Sequence, residues 1–347
     1  MRSQMRVLVA MSGGVDSSVA AVLLAEQGYE VVGATMKLWG GSSDSGCCSV
    51  SDVEDARRVA AQIGIDHHVF NFTEEFHDKV VDFYVDSHRL GLTPNPCVEC
   101  NRHLKFHTFI ERARTLGFDY IATGHHARIV RENGLSHLAR GEDLAKDQSY
   151  VLSMLSGEQL DYVLLPVGEI TKGRVREIAR ELSLRTALKP DSQEVCFITS
   201  TSGRDGFLGS RIDLHPGDLC DKASGRIVGS VDAVELVTVG QRKGFGTLGD
   251  GSARYAVEVN VPARKVYLGR QSDLLVDSMA IRSLTFSHRP LVDGEMIAVQ
   301  GSAHGHASRA MFFQDGLKFE EPHRRVAPGQ TLAFYRGDMV VGSAIAC

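Results

Sequence analysis

The segment from Arg6 to Gln27 constrains the rest of the chain most. Val7, Leu8 and Val9 form a short unbroken apolar run, which suits a strand buried on both faces, and from Ser17 to Gln27 the residues Val19, Val22 and Leu23 fall on one side of a helix. Between strand and helix stands Ser12-Gly13-Gly14-Val15-Asp16-Ser17. Adjacent glycines allow a sharp turn and close approach of backbone to a ligand, and the following helix aims its free N–H groups and positive dipole end at the same spot. The outcome is a seat for an anion, most economically a phosphate.

The lysine of G-x-x-x-x-G-K-[ST] is missing, and so is G-x-G-x-x-G. The string instead resembles the PP-loop of ATP pyrophosphatases, which split ATP between its α and β phosphates and leave AMP on an acceptor oxygen. A plain strand-to-helix turn accounts for a glycine and an N-capping Ser or Asp, but not for so many matches in one place.

Downstream, strands are expected at Glu30 to Thr35, Ile65 to Phe72 and Tyr120 to Thr123, alternating with helices at Ser51 to Ile63, Glu74 to Leu90 and Val98 to Leu116. In the second of these helices Phe76, Val80, Phe83 and Tyr84 share the inward spacing. Such alternation predicts a parallel sheet covered on both faces, with ligands at the carboxyl ends of its strands. Arg140 to Lys189 reads as loop and helix, clearest at Arg174 to Leu182. Beyond about Thr201, short β-rich segments follow, among them Gly225 to Val228, Val234 to Val239 and the alternating Tyr255 to Val261. The expected organisation is a catalytic domain over 1–203, a small central β-rich domain over 204–265 and a C-terminal β-barrel over 266–347.

A length of 347 residues fits several domains, since single cores stop growing near about 250–300 residues. No apolar run reaches the roughly 20 residues of a membrane span and no signal-peptide pattern opens the chain, so a cytoplasmic location is expected. The net charge of −5 requires that any nucleic-acid binding come from local basic patches. Seven cysteines without an export signal point to thiol chemistry or metal ligation rather than a disulfide scaffold.

Thr93-Pro94-Asn95-Pro96-Cys97-Val98-Glu99-Cys100 is a stiff extended loop that delivers Cys100 to or near the start of a helix, where the dipole lowers a thiol pKa. In Lys189-Pro190-Asp191-Ser192-Gln193-Glu194-Val195-Cys196-Phe197, a turn precedes a short apolar segment; Cys196 is either a core cysteine or rides on a loop able to move. Cys47 and Cys48 read as loop residues and His67 and His68 as surface or satisfied core side chains; Lys172, Arg174, Arg176 and Arg180, on or beside one helix, are able to meet phosphates, though such a run is usually a solvated face.

S-G-G-V-D-S, T-P-N-P-C-x-x-C-N, G-H-H, the block Lys146-Asp147-Gln148-Ser149-Tyr150, Asp191-Ser192 with Cys196-Phe197-Ile198, and Thr238-Val239-Gly240-Gln241-Arg242-Lys243 together resemble, in this order, the tRNA 2-thiouridylases of the MnmA/TrmU family. The resemblance covers nearly the whole chain and implies an α/β fold: a parallel-sheet PP-loop domain of the adenine nucleotide α-hydrolase type, followed by the two β-rich domains. It implies a tRNA-uridine 2-sulfurtransferase that uses ATP with Mg²⁺ to adenylate the C2 oxygen of the wobble uridine, after which a persulfide sulfur displaces AMP.

By motif, Ala10, Met11, Ser12, Gly13, Gly14, Val15, Asp16, Ser17, Met36 and Gly124 match the ATP site. Cys196 matches the persulfide carrier and Cys100 the second catalytic cysteine, which releases the sulfur and forms a disulfide with Cys196. Asn95, Pro96 and Cys97 match the contact with the target base; His125, Lys146, Asp147, Gln148 and Gln330 match tRNA contacts. The implied partners are a tRNA with a wobble uridine and a sulfur donor such as a cysteine desulfurase or a sulfur carrier protein.

Many relatives carry Asp, the proposed base, where this chain has Cys97. Cys97, Cys100 and Cys196 also supply three thiolates able to hold a [4Fe-4S] cluster, an alternative to the persulfide route. A rival ligase acting on a small carbonyl substrate leaves these cysteines without work. A closed zinc site needs a second C-x-x-C, which is absent from the sequence.

Overall fold

The computed structural model describes residues 4–39, 49–191, 195–198 and 202–347; Cys47, Cys48, Ser192, Gln193 and Glu194 lie outside them. The chain begins with β1 (Arg6–Ala10), α1 (Val15–Glu26), β2 (Glu30–Lys37), α2 (Val50–Ile63) and β3 (Asp66–Asn71). A long helical stretch follows: α3 (Thr73–Phe76) passes through a π-helical segment, His77–Val81, into α4 (Asp82–Arg89). After the proline-rich break, α5 (Pro96–Cys100) continues through a second π-helical segment, Asn101–Thr108, into α6 (Phe109–Thr115).

β4 (Tyr120–Ala122) and, after an excursion, β7 (Val163–Leu164) complete a parallel sheet of order β3-β2-β1-β4-β7. β1 is buried on both faces, and its pleat divides the core in two. Val7 and Val9 pack with α1 and α2, while Leu8 and Ala10 join Phe76, Val80, Leu104 and Phe109 on the other side. From β1 the chain moves outward to β2 and β3, then returns to place β4 on the opposite flank. The strand order therefore reverses beside β1, and the crevice at such a reversal is where open α/β sheets take ligands.

The excursion between β4 and β7 is a hairpin, β5 (Ala127–Glu132) and β6 (Leu135–Arg140), which sequence reasoning did not find. Its turn is Asn133-Gly134 with positive φ at both residues, 53° and 78°, the combination a two-residue type I′ hairpin requires. The hairpin leaves its own domain's sheet and extends the C-terminal one, with Ala139 opposite Met339. At that junction the Arg140 guanidinium lies over the Tyr335 ring, 3.8 Å from its centroid, and donates to Asp147 and Gln300.

α7 (Gly157–Leu160), α8 (Lys172–Glu181) and α9 (Gly203–Gly209) lead to the central sheet of β8 (Gly217–Asp221), β9 (Ile227–Val231), β10 (Tyr255–Asn260) and β11 (Lys265–Gly269), in the order β10-β11-β8-β9. The strand expected at Val234 to Val239 is instead a single 3-10 turn, Val234–Leu236. A bulge between Ala256 and Glu258 interrupts the expected alternation in β10, so the neighbours Ala256 and Val257 are both buried.

The C-terminal strands are β12 (Leu275–Phe286), β13 (Met296–Gln300), β14 (Ser308–Phe313), β15 (Gly316–Arg324), β16 (Thr331–Arg336) and β17 (Met339–Ala346). They run β12-β15-β14-β13-β16-β17 and close into an antiparallel barrel through a β12–β17 pairing. No helix among the described residues is long and apolar enough to cross a membrane.

Candidate active site

The loop after β1 turns at Gly13, where φ is +70° and a Cβ would run into the Asp52 carbonyl of α2. Gly14 is the N-cap of α1. The Ser17 hydroxyl accepts from the Ser12 N–H at 3.2 Å, and the Ser18 hydroxyl donates to the Gly14 carbonyl at 2.8 Å, so the loop is closed from inside. Met11 is fastened to β2 by its N–H to the Ala34 carbonyl, 2.8 Å, and by the Thr35 hydroxyl on its own carbonyl, 2.8 Å. Gly124, at the end of β4, meets this loop from across the reversal: a Cβ there would stand 2.5 Å from the Ser17 nitrogen and 2.6 Å from the Asp16 carbonyl carbon. The motifs S-G-G-V-D-S and G-H-H are thus in backbone contact, with Met36 buried in β2 beside β1.

Charge is concentrated at Asp16. The Lys172 ammonium bonds both its oxygens, at 2.7 and 2.6 Å, and the Nε2 of His126 lies 3.0 Å from one of them. Lys172 is 8% exposed and also reaches Asp191 at 2.9 Å, where Lys146 and Arg176 converge at 2.9 and 2.8 Å. Burial pushes the carboxyl of Asp16 up, but the bonds from His126 and Lys172 outweigh it and hold it below its ordinary value. Burial acts on Asp191 in the same sense, and Lys172 and Lys146 bring it down to about 2. The Nδ1 of His126 is buried without a hydrogen bond among the described residues.

Lys172 corrects the sequence reading of a solvated basic face. Thr171 caps α8, which places Lys172 in its first turn against the phosphate loop, whereas Arg174 stays exposed and pairs with Glu177 and Glu181. Lys172 stood out in the sequence only as one of four basic residues and His126 only within G-H-H, neither with a carboxylate partner. Their signal is tertiary, since nothing in the flanking residues separates Lys172 from the arginines after it.

The sulfur-bearing residues sit on the Leu8 face of the sheet. The Asn95 side chain caps α5 by accepting from the Cys97 and Val98 N–H groups at 3.0 and 3.4 Å, with Pro96 in the first turn. Cys97 is therefore in the first turn and exposed, while Cys100 lies a full turn in and is 6% exposed. The helix end acts most strongly on Cys97 rather than, as expected, on Cys100.

Cys100 belongs to the large apolar core, and Cys196 packs against that same core. Beside Cys196, Phe197 is 3% exposed and held by Trp39, Phe76, Tyr84 and Phe207 at centroid distances of 6.2, 5.7, 5.5 and 5.1 Å. The residue next to Cys196 is thus anchored in an aromatic box.

Of the expected RNA contacts, His125 is half-buried, bonded by its Nδ1 to the Thr123 hydroxyl at 2.6 Å, and kept neutral by burial and by the charge of Lys105. Asp147 is buried and takes the N–H groups of Gly141 and Ser149 together with Arg140. Gln148 accepts from the His126 N–H at 2.8 Å, and Gln330 donates to the Thr93 carbonyl at 2.6 Å. These side chains tie the catalytic domain together and to the barrel.

Residues 5–200 match the family model described as the tRNA methyl transferase HUP domain, 205–270 the tRNA methyl transferase PRC-barrel domain, and 311–346 the aminomethyltransferase beta-barrel domain. The chain is 42% identical to the tRNA-specific 2-thiouridylase MnmA of Carboxydothermus hydrogenoformans, covering 97% of this chain and 96% of that protein. It is 39% identical to the protein of that name from Clostridium acetobutylicum, over 98% of this chain and 99% of the other. By likeness along its whole length, the chain belongs to the tRNA-specific 2-thiouridylase family.

Proposed function

We infer that the chain is an ATP-dependent tRNA-uridine 2-sulfurtransferase, which converts a wobble uridine to 2-thiouridine. The observation that carries this reading is the pairing of a glycine-built phosphate seat with two cysteines, from separate segments, in one apolar core on the same sheet. A methyl-transfer reading, which the description of the matched family models would suggest, leaves both features idle.

The chemistry follows from the leaving-group problem. A urea-like oxygen departs badly, so the C2 oxygen attacks the α-phosphorus of ATP, diphosphate leaves, and the oxygen becomes part of an AMP ester. The phosphate loop, the N-terminus of α1 and Lys172 offset the charge of the phosphates, together with Mg²⁺ that enters with ATP. The outer sulfur of a persulfide on Cys196 then attacks C2. The Cys100 thiolate attacks the Cys196 sulfur, the sulfur–sulfur bond breaks with its electron pair going to the transferred atom, and AMP departs. The product disulfide between Cys100 and Cys196 requires Cα atoms within about 4.4–6.8 Å, and a thiol reductant reopens it. A sulfur donor, a desulfurase or a carrier protein, reloads Cys196.

Cys97, Cys100 and Cys196 are also the residues that would hold three irons of a [4Fe-4S] cluster, since two sit one helical turn apart and the third packs on the same core. Bound there, a cluster would supply an iron-held sulfide as the sulfur source. We place the enzyme in the cytoplasm with its tRNA.

The test uses unmodified tRNA, α-labelled ATP and anaerobically purified protein analysed for iron and sulfide. Cys100→Ser and Cys196→Ser are each expected to abolish 2-thiouridine while still transferring labelled AMP to the RNA. Full thiolation by either variant refutes the assignment, and stoichiometric iron that both variants lose replaces the persulfide route by the cluster.

A further inference from the structure

Phe83 is the odd residue in its helix. Regular spacing from Phe76 and Val80 directs it inward, yet it is 44% exposed, while Val81, Val85 and His88 are buried. The cause is the π-helical segment His77–Val81, whose wider turn advances the inward set by about one residue; such insertions recur at functional sites. Phe83 consequently forms part of the wall of a cleft of about 320 Å³ between the catalytic domain and the barrel.

The facing wall is irregular as well. β12 slips register between Arg282 and Thr285, and Ser283 there has φ of +54°. A bulge of this kind re-aims side chains, and it leaves the Arg282 guanidinium exposed at the cleft with no ion pair or hydrogen bond among the described residues. Arg102 lines the same space, 3.5 Å from Glu99. Pro94 and Glu99, also in the wall, bracket Asn95, Pro96 and Cys97. The floor is fixed, because Gly329 and Gln330 of the barrel dock onto Leu92 and Thr93.

We propose that this cleft is a nucleotide subsite: it takes the unpaired nucleotide next to the target uridine, with the base stacked on Phe83 and its phosphate on Arg282 and Arg102. The proposal rests on the sulfurtransferase reading for the identity of the RNA. The chemistry is that of single-strand binding in general, where an exposed aromatic ring offers a stacking face to any base and arginines follow the backbone. The size is at the lower end of the ~300–1,000 Å³ usual for small-ligand sites, enough for one nucleotide and not for a helix. The position matters as much: a uridine drawn out toward Cys97 loses its stack on the neighbouring base, and this cleft is beside that loop.

The experiment measures binding of a fluorescent anticodon stem–loop RNA to the full-length chain, with the base removed in turn on either side of the target uridine. Phe83→Ala is expected to weaken binding about tenfold, the size of one lost stack, while Phe83→Trp retains it. One of the two abasic RNAs is expected to lose about as much with the unaltered chain and nothing further with Phe83→Ala. Arg282→Ala is expected to lower the slope of log affinity against log salt by about one, as for a single phosphate contact. ATP affinity is expected to stay unchanged in all three variants, which separates the cleft from a general loss of fold. Equal binding by Phe83→Ala, or equal losses with the abasic RNAs in the presence and absence of the ring, overturns the subsite. Absence of thiolation by the unaltered chain overturns the sulfurtransferase reading instead, and the binding measurements still decide the cleft.

Discussion

The two halves of the candidate active site are built on opposite principles. The phosphate half is local and rigid: thirteen consecutive residues, Arg6 to Ser18, contain the strand end, the turn and the helix start, and Gly13 and Gly124 fit only because they lack side chains. The sulfur half is assembled from distant segments, with Cys97 and Cys100 on α5, Cys196 more than ninety positions later, and its anchor ring among aromatics from four other places. An anion seat needs fixed dipoles. On the sulfurtransferase reading, Cys196 has to be loaded by one partner and unloaded onto another, and the described residue beside it, Phe197, is held by an aromatic box.

The sharpest way to break this contrast is at Gly124. If the phosphate half is rigid, Gly124→Ala has nowhere to put its methyl group, since the obstructing atoms are backbone of α1. Displacing the loop by even a fraction of an ångström is expected to lower ATP-dependent AMP transfer by about a hundredfold, with ATP binding weakened alongside. Labelled AMP on the RNA and nucleotide titration read both. Near-normal transfer would mean that the loop yields, and the distinction between the halves would fall.

Lys172→Met tests the same half through its charges. The folded-state pKa of Asp191, about 2, lies below its ordinary value of 3.8, so the stabilisation is fully present above pH ~4 and disappears as pH falls toward 2. Removing an ammonium shared by Asp16 and Asp191 is expected to cost on the order of 1–2 kcal/mol at pH 5, with the difference from the parent chain narrowing as the medium is acidified. Urea unfolding midpoints across that window measure it. A deficit that does not change with pH would assign Lys172 a packing role alone.

What the sequence made legible follows the same division. The parallel sheet, the phosphate loop and the β-rich remainder were readable because each rests on a local periodicity: the run at Val7 to Val9, the paired glycines, the alternation beyond Thr201. Lys172 and His126 were not, because what distinguishes them is the carboxylate they meet from other elements. The hairpin β5–β6 carried a usable signal in Asn133-Gly134, but no local pattern says that its strands extend another domain's sheet. Phe83 misled for a definite reason, since helical spacing assumes 3.6 residues per turn and the π-helical segment breaks that count.

The smallest expected effect bears on the sulfur half and uses the chain's one tryptophan. Trp39 touches Phe197, and Phe197 is covalently next to Cys196, so any outward movement of the cysteine pulls on a ring in contact with the indole. Alkylation of the thiols with iodoacetamide is expected to shift Trp39 emission by a few nanometres, on the order of what altered burial of an indole produces, in the parent chain and not in Cys196→Ser. Phe197→Leu keeps an apolar anchor but removes the ring, and is expected to blunt the shift while leaving AMP transfer intact. If the parent chain and Cys196→Ser respond alike, the cysteine moves independently of the aromatic box. The tether would then lie on the other side of Cys196, and the sulfur half would be looser than its packing against Phe76, Tyr84 and Phe207 implies.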